Sequence, residues 1–212
     1  MIHKEISKSV LKRLPVYLAY LKSLPMDAPK YISATSIANA LGMGDVQVRK
    51  DLAMVSDGGR PKVGYCREKL ADDLEQFLGY DNTNDSVLIG AGKLGRALLG
   101  YSGFAEYGLN ILAAFDVAPG IEMTEHGKPI LPMDQLEGYC RANKVCMGII
   151  AVPAACAQDT CNQLIASGIK AVWNFAPIHL EVPDHILVQN ENMATSLAVL
   201  SMHLQAQMKE KR

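Results

Sequence analysis

The sequence lacks any apolar run approaching the roughly 20 residues that a membrane-spanning helix needs, and its start, Met1-Ile2-His3-Lys4-Glu5, carries no apolar signal core. These absences exclude a transmembrane helix and set the expectation of a cytoplasmic location. Cysteine is sparse and poorly spaced for chemistry: Cys66, Cys140, Cys146, Cys156 and Cys161 are odd in number and never form a C-x-x-C pair. Neither a disulfide framework nor a metal site is expected from them. Cys156 and Cys161, five apart, would point away from each other on a helix. Internal repeats and low-complexity tracts are absent. A catalytic constellation is missing too. The candidate acids and bases for a hydride-transfer enzyme are His126, His179, His185, Lys170 and Tyr101, and none has a supporting group in the sequence. His185 lies in the polar turn Pro183-Asp184-His185, the setting of an exposed loop histidine. The second half of the chain is also too short to hold a separate substrate domain beside a dinucleotide-binding one.

What is present is the composition of an ordinary globular protein, 212 residues with 49% hydrophobic and 20% charged side chains. The net charge of -1 conceals an asymmetry. Residues 1–69 hold 12 Lys and Arg against 6 Asp and Glu, whereas the remainder is acidic. A basic first third is what a polyanion partner requires, although a solvated basic face has the same composition.

Polar turn chemistry at Asn82-Thr-Asn-Asp85 separates a helical segment from an apolar strand, which places a domain boundary there. Before it, residues 8–24 carry Val10, Leu14, Tyr17, Leu18 and Leu21 at helical spacing. Pro15 implies either a start near Arg13 or a kink. A short helix follows Ser33 and ends at Gly42, and a second starts at Asp45, with Val48, Leu52 and Val55 facing the core. Residues 57–65 read as a basic β-hairpin tip. After the boundary, strands at 86–89, 110–115, 146–152, 171–173 and 186–188 alternate with helices at 93–101, 133–143, 155–167 and 193–209. Apolar strands separated by helices predict an α/β domain with a parallel sheet covered on both faces.

Gly90-Ala91-Gly92-Lys93-Leu94-Gly95 directly follows Val87-Leu88-Ile89 and opens a helix. The first glycine permits the tight turn, the second lets backbone approach a pyrophosphate, and the third packs helix on strand. Helix N–H groups then face the phosphates. Asp116, 21 residues past Gly95, ends the next strand, where its carboxylate would accept bonds from the adenosine ribose hydroxyls and repel a 2′-phosphate. The pattern predicts a Rossmann-type site for NAD+/NADH; the alternative is a structural turn beside a surface acid. In the first domain the two short helices have the dimensions of a helix-turn-helix. Gln47, Arg49 and Lys50 would lie on the outer face of the second helix, and Arg60 and Lys62 on a following wing. Ser33 and Tyr65 complete the expected DNA-binding set.

These segments together resemble the Rex family of bacterial redox-sensing repressors. The resemblance runs through Leu11-Lys12-Arg13-Leu14-Pro15-Val16-Tyr17, Val48-Arg49-Lys50-Asp51-Leu52 and Gly64-Tyr65. It continues through Gly90 to Gly95, Tyr101-Ser102-Gly103-Phe104, Phe115-Asp116-Val117, Val152-Pro153-Ala154, Gly168-Ile169-Lys170 and Asn174-Phe175-Ala176-Pro177. It implies a winged-helix DNA-binding domain (1–82), a Rossmann NAD(H)-binding domain (83–190) and a C-terminal helix (191–212) swapped across a homodimer. That dimer would hold operator double-stranded DNA and release it when NADH replaces NAD+. The implied cofactor-binding set is the glycine loop with Asp116, Val117, Val152, Pro153, Ala154, Asn174, Phe175, Ala176, Pro177 and Tyr101. A relay of Arg13, Tyr101 and a residue at the start of the last helix is also implied; that position, an Asp in the family, is Asn192 here. An amide cannot form an ion pair with Arg13. Two rival readings are a small NAD-dependent oxidoreductase with an N-terminal dimerisation domain, and a constitutive DNA-binding protein with a Rossmann scaffold.

Overall fold

The computed structural model describes residues 6–82, 84–118, 123–124 and 127–210. The chain divides into two compact units, Met1–Asn82 and Thr83–Arg212. His126 lies outside the described residues.

In the first unit, α1 (Lys8–Ser23) is capped by the Ser7 hydroxyl, which accepts from Val10 N–H. It runs through Pro15 as a single helix. The proline leaves the carbonyl four residues earlier without its usual donor, and Leu11 there is exposed, so water can serve it. A short strand, β1 (Tyr31–Ile32), precedes α2 (Ala34–Leu41) and α3 (Asp45–Val55). Gly42 closes α2 in the left-handed conformation at φ +64. β2 (Tyr65–Cys66) pairs antiparallel with β1 and leads into α4 (Arg67–Leu78). β1 is too short to show periodicity and was not expected. Leu14, Tyr17, Ile37, Val48, Leu52, Leu70 and Leu74 form the core of this unit.

The second unit is a six-stranded sheet with helices. Its strands are β3 (Asn84–Ile89), β4 (Leu109–Asp116), β5 (Ile130–Pro132), β6 (Met147–Ile150), β7 (Ala171–Asn174) and β8 (Leu187–Asn190). All pairings are parallel, in the order β5-β4-β3-β6-β7-β8. The helices are α5 (Lys93–Gly100), α6 (Leu136–Ala142), α7 (Ala154–Ala166) and α8 (Met193–Glu210), with a 3-10 turn over Ser102–Tyr107. Val87 and Ile89 bury on one face of β3 and Leu88 on the other, so the strand reads as an unbroken apolar run. A register irregularity between Ser86 and Val87 brings Ile111 of β4 to one face and Ala113 to the other, despite their separation of two. β5 was not expected, being three residues at the sheet edge and ending in proline. β6 stops at Ile150 rather than 152: Ala151 N–H still reaches Ile89 O at 2.8 Å, but Pro153 has no N–H to extend the ladder.

Candidate functional site

The glycine loop joins β3 to α5, and each of its three glycines is tied to a different feature. Gly90 has φ +98, and a Cβ there would stand 2.6 Å from Ala151 O, so the loops after β3 and β6 touch at this point. A Cβ on Gly95 would come within 1.8 Å of Gly90 O, so α5 can cross the strand end here only on glycine. Gly92 is different. It has an ordinary φ of -71, and nothing lies within 4 Å of where its Cβ would be. Space therefore stands open in front of Gly92. Gly92 also occupies the N-cap of α5 without a side-chain acceptor, leaving the first-turn N–H groups, around exposed Lys93 and Leu94, for an anion. Arg96 braces the loop from behind, its Nε donating to Ala91 O at 2.7 Å.

Asp116 ends β4 beside this loop. Its Oδ2 accepts from Ala91 N–H at 2.7 Å and its Oδ1 from Ala118 N–H at 3.1 Å. A carboxylate has about four lone-pair positions, so two remain for hydroxyl donors. Val117 beyond it is 89% exposed. Across the sheet, half-buried Val152 and Ala154 flank Pro153, the N-cap of α7. These positions fit a dinucleotide: an open cradle, free amide donors and a carboxylate at the end of the neighbouring strand.

Asn174, at the end of β7, is fully buried and spends its whole amide on the loop that follows. Its Nδ2 donates to Ala176 O, Ile178 O and Asn190 Oδ1, and its Oδ1 accepts from Ala176 N–H. Asn174 therefore shapes the Phe175-Ala176-Pro177 turn and has no donor left over. Ala176 and Pro177, with Ile178, His179 and Asn190 to Asn192, line a recess of about 240 Å³. Tyr101 follows α5, exposed, with its ring over Gly103 and edge-on to Phe104 at 4.9 Å. Asn192 Oδ1 accepts from Thr195 N–H at 3.1 Å and so caps α8. His179, His185 and Lys170 are exposed. Among the described residues no three His, Cys, Asp or Glu side chains are grouped to hold a metal, and no helix is long and apolar enough to cross a membrane.

In the first unit, Ser33 Oγ caps α2 by accepting from Ser36 N–H at 2.9 Å. Arg49 and Lys50 are exposed on α3, Arg49 pairing loosely with Asp45 at 3.2 Å. The wing is held by a single bridge, Arg60 to Gly64, with Lys62 at φ +65 on its tip. Ser33, Thr35, Arg49, Arg60 and Lys62 border one groove of about 420 Å³. Tyr65 borders the same groove while being only 8% exposed, its ring lying against Gly59, and burial raises its pKa.

One constellation escaped the sequence reading. Asp51 of α3 is buried and receives Arg13 Nε at 2.7 Å, Arg13 Nη2 at 3.0 Å and Tyr17 Oη at 2.8 Å. The bond to Asp51 is the main reason the Arg13 pKa is raised. Burial, then the same carboxylate, pushes the Tyr17 hydroxyl up to about 12. Asp51 follows Val48 by three residues and precedes Leu52, so it had to face the core. That spacing was the available signal.

Comparison with known proteins agrees with this division. Residues 5–53 match the family model described as "Putative DNA-binding protein N-terminus", and residues 81–178 the CoA binding domain family. A redox-sensing transcriptional repressor Rex of Treponema denticola is 42% identical over 91% of this chain and 92% of its own. The Rex of Porphyromonas gingivalis is 39% identical over 94% and 92%. The crystal structure of RSP in complex with β-NAD+ and operator DNA superposes with a TM-score of 0.88 at 34% identity, covering 97% of this chain and 95% of that one. RSP in complex with β-NADH gives 0.86 at 33% identity, covering 98% of each chain. With identity of this level spread over nearly its whole length, the chain belongs to the Rex family of redox-sensing transcriptional repressors.

Proposed function

We propose that the chain is an NADH/NAD+-sensing repressor. In this reading a cytoplasmic homodimer holds operator double-stranded DNA through its winged helices and releases it when NADH occupies the glycine loop. The observation that carries the reading is the open space before Gly92, bounded by the free N–H groups of α5 and by Asp116. Backbone N–H groups there receive a pyrophosphate, and Asp116 accepts from ribose hydroxyls while repelling a ribose phosphate. This favours NAD over NADP and over coenzyme A, which carries such a phosphate. Val152, Pro153 and Ala154 wall the site, and Asn174 sets Phe175, Ala176 and Pro177 toward the ring end with Tyr101 near.

The nicotinamide supplies a ring that is cationic when oxidised and neutral when reduced. The protein acts on that difference without turning anything over, the described histidines His179, His185 and His203 all being exposed. Ser33, Gln47, Arg49, Lys50, Arg60 and Lys62 face the DNA, and Tyr65 keeps the wing in place. By the family resemblance Arg13, Tyr101 and Asn192 of the partner subunit form the relay, and α8, whose Leu197, Leu200 and Leu204 are exposed, swaps between protomers. Arg13 is committed to Asp51 in this state, and a relay that draws on it competes with that bond.

Operator binding measured with NAD+, with NADH and with neither tests the proposal. A 100-fold loss with NADH corresponds to a coupling of about 2.7 kcal/mol, within the usual range for linked sites. Equal affinity in all three conditions overturns it, and turnover of a substrate with no salt-sensitive DNA affinity indicates an oxidoreductase instead.

A further inference from the structure

Gln47 is exposed on α3, one helical turn before Asp51, and its amide rests against the Arg13 guanidinium. The end of that amide stands 2.9 Å from Nη1, 3.1 Å from Nε and 3.3 Å from Nη2, and it is assigned as the oxygen because the site offers it only nitrogens. The opposite orientation would set an NH2 group against three nitrogens of a cation, donors facing donors with no acceptor between them. Electrostatics therefore fixes the amide with its oxygen inward. In this state Arg13 is held in place, two of its nitrogens on the nearly inaccessible Asp51 carboxylate, which also takes the Tyr17 hydroxyl. With its oxygen turned onto Arg13, Gln47 presents its NH2 group outward.

We infer that Gln47 reads DNA as a donor alone, selecting a base whose major-groove edge carries acceptors and no donor: guanine with O6 and N7, or thymine with O4. Arg13 and Asp51 act as positioning residues that impose this polarity. The inference rests on the proposed role of α3 as the recognition helix. A glutamine with a free amide pairs with adenine by accepting from N6 and donating to N7. With the oxygen turned onto Arg13, the cytosine N4 amino group meets another donor, and adenine keeps only its N7 acceptor while its N6 amino group is left facing a donor. Both bases are disfavoured at the position Gln47 faces.

The test is selection from a duplex library with randomised half-sites by the full-length wild type, Gln47→Ala, Gln47→Glu and Arg13→Lys, followed by affinities on single-position variants. The wild type is expected to prefer guanine or thymine over adenine and cytosine by about tenfold at one position of each half-site. Gln47→Ala flattens that position and no other. Gln47→Glu, whose side chain only accepts, moves the preference to cytosine or adenine. Arg13→Lys keeps a positive charge for Asp51 but removes the flat three-nitrogen surface, which frees the amide and raises adenine. A base profile that Gln47→Ala leaves unchanged overturns the inference, as does a wild-type preference for adenine that Gln47→Ala abolishes. Failure of the wild type to enrich any duplex overturns the DNA-reading role of α3 and the inference with it.

Discussion

Trp173 donates its indole N–H to Glu191 Oε1 at 3.0 Å, while the next residue of β7, Asn174, donates to Asn190 Oδ1 at 2.8 Å. Neighbouring residues of one strand thus grip Asn190, the last residue of β8, and Glu191 just beyond it, from opposite faces of the sheet, shortly before α8 begins. The indole also continues a ring series, Tyr101 to Phe104 at 4.9 Å and Phe104 to Trp173 at 5.6 Å. Since Trp173 is the single tryptophan, its emission reports on this place alone. Glu191→Ala is expected to shift the emission maximum and lower the stability of the second unit by about 1 kcal/mol, the usual net value of a hydrogen bond. Glu191→Gln keeps an acceptor and should leave the maximum in place.

The glycine loop separates fold from ligand. Gly95→Ala forces a methyl group onto the backbone at Gly90 and should destabilise the second unit by about 3 kcal/mol in chemical denaturation, at the upper end of overpacking costs. Gly92→Asp has room for its side chain and should denature like the wild type, yet lose NADH affinity about 100-fold or more, a difference of about 2.7 kcal/mol. Trp173 fluorescence titration gives the second number.

Alkaline pH should weaken the first unit through Tyr17. Its hydroxyl stays protonated in the folded protein up to about 12, against an ordinary 10, because it is buried and bonded to Asp51. The unfolded chain releases that proton first, so stability is complete below pH 10 and falls as pH rises from 10 to about 12, by up to about 3 kcal/mol. Tyr17→Phe removes this dependence, at the cost of the bond to Asp51. Denaturation midpoints from pH 8 to 12 compare the two proteins.

Arg49→Ala should weaken operator binding and lower the slope of log affinity against log salt by about 1, as expected for one lost phosphate contact. Its partner Asp45 is half-buried and the ion pair loose, so the helix itself should lose under about 0.5 kcal/mol. An unchanged operator affinity would remove α3 from the DNA interface.

Along α8, Met193, Leu197, Leu200, Leu204 and Met208 are each more than half exposed. A chain ending at Asn190 should therefore sediment as a monomer while the full chain sediments as a dimer, and the shortened chain should lose operator affinity.

The parallel sheet was legible because β3, β4 and β6 are apolar on both faces and each is followed by a helix or turn with its own glycine or proline signal. The glycine loop was legible because its three glycines recur at a fixed spacing right after an apolar strand, Gly90 and Gly95 meeting separate steric demands and Gly92 leaving open space. Less visible was anything depending on contacts between distant segments. Arg13 read as a relay residue from its neighbours in sequence, but its partner Asp51 stands 38 positions away. Gln47 read as a free base reader, because nothing near it in sequence reveals that a guanidinium covers its oxygen. Asn174 sat in a motif next to the expected cofactor, while its amide serves the turn that carries that motif. β5 left no trace, three residues being too few to show a period.

The approach of Gly90 to Ala151 also has a bearing on time. The two residues are 61 positions apart, and the wall that Ala151 gives the loop directly follows β6, the strand beside β3. Chains emerge from the ribosome N-terminus first, so the glycines and Asp116 leave the tunnel well before β6 follows. During that interval the turn has its flexible residues but nothing to lean on. The helix-turn-helix, complete by residue 82, can form first. A nascent chain would then hold a DNA-binding unit before it holds a way to be switched off, and the gap between the two lasts at least as long as the synthesis of roughly 70 residues, some seconds at ordinary elongation rates.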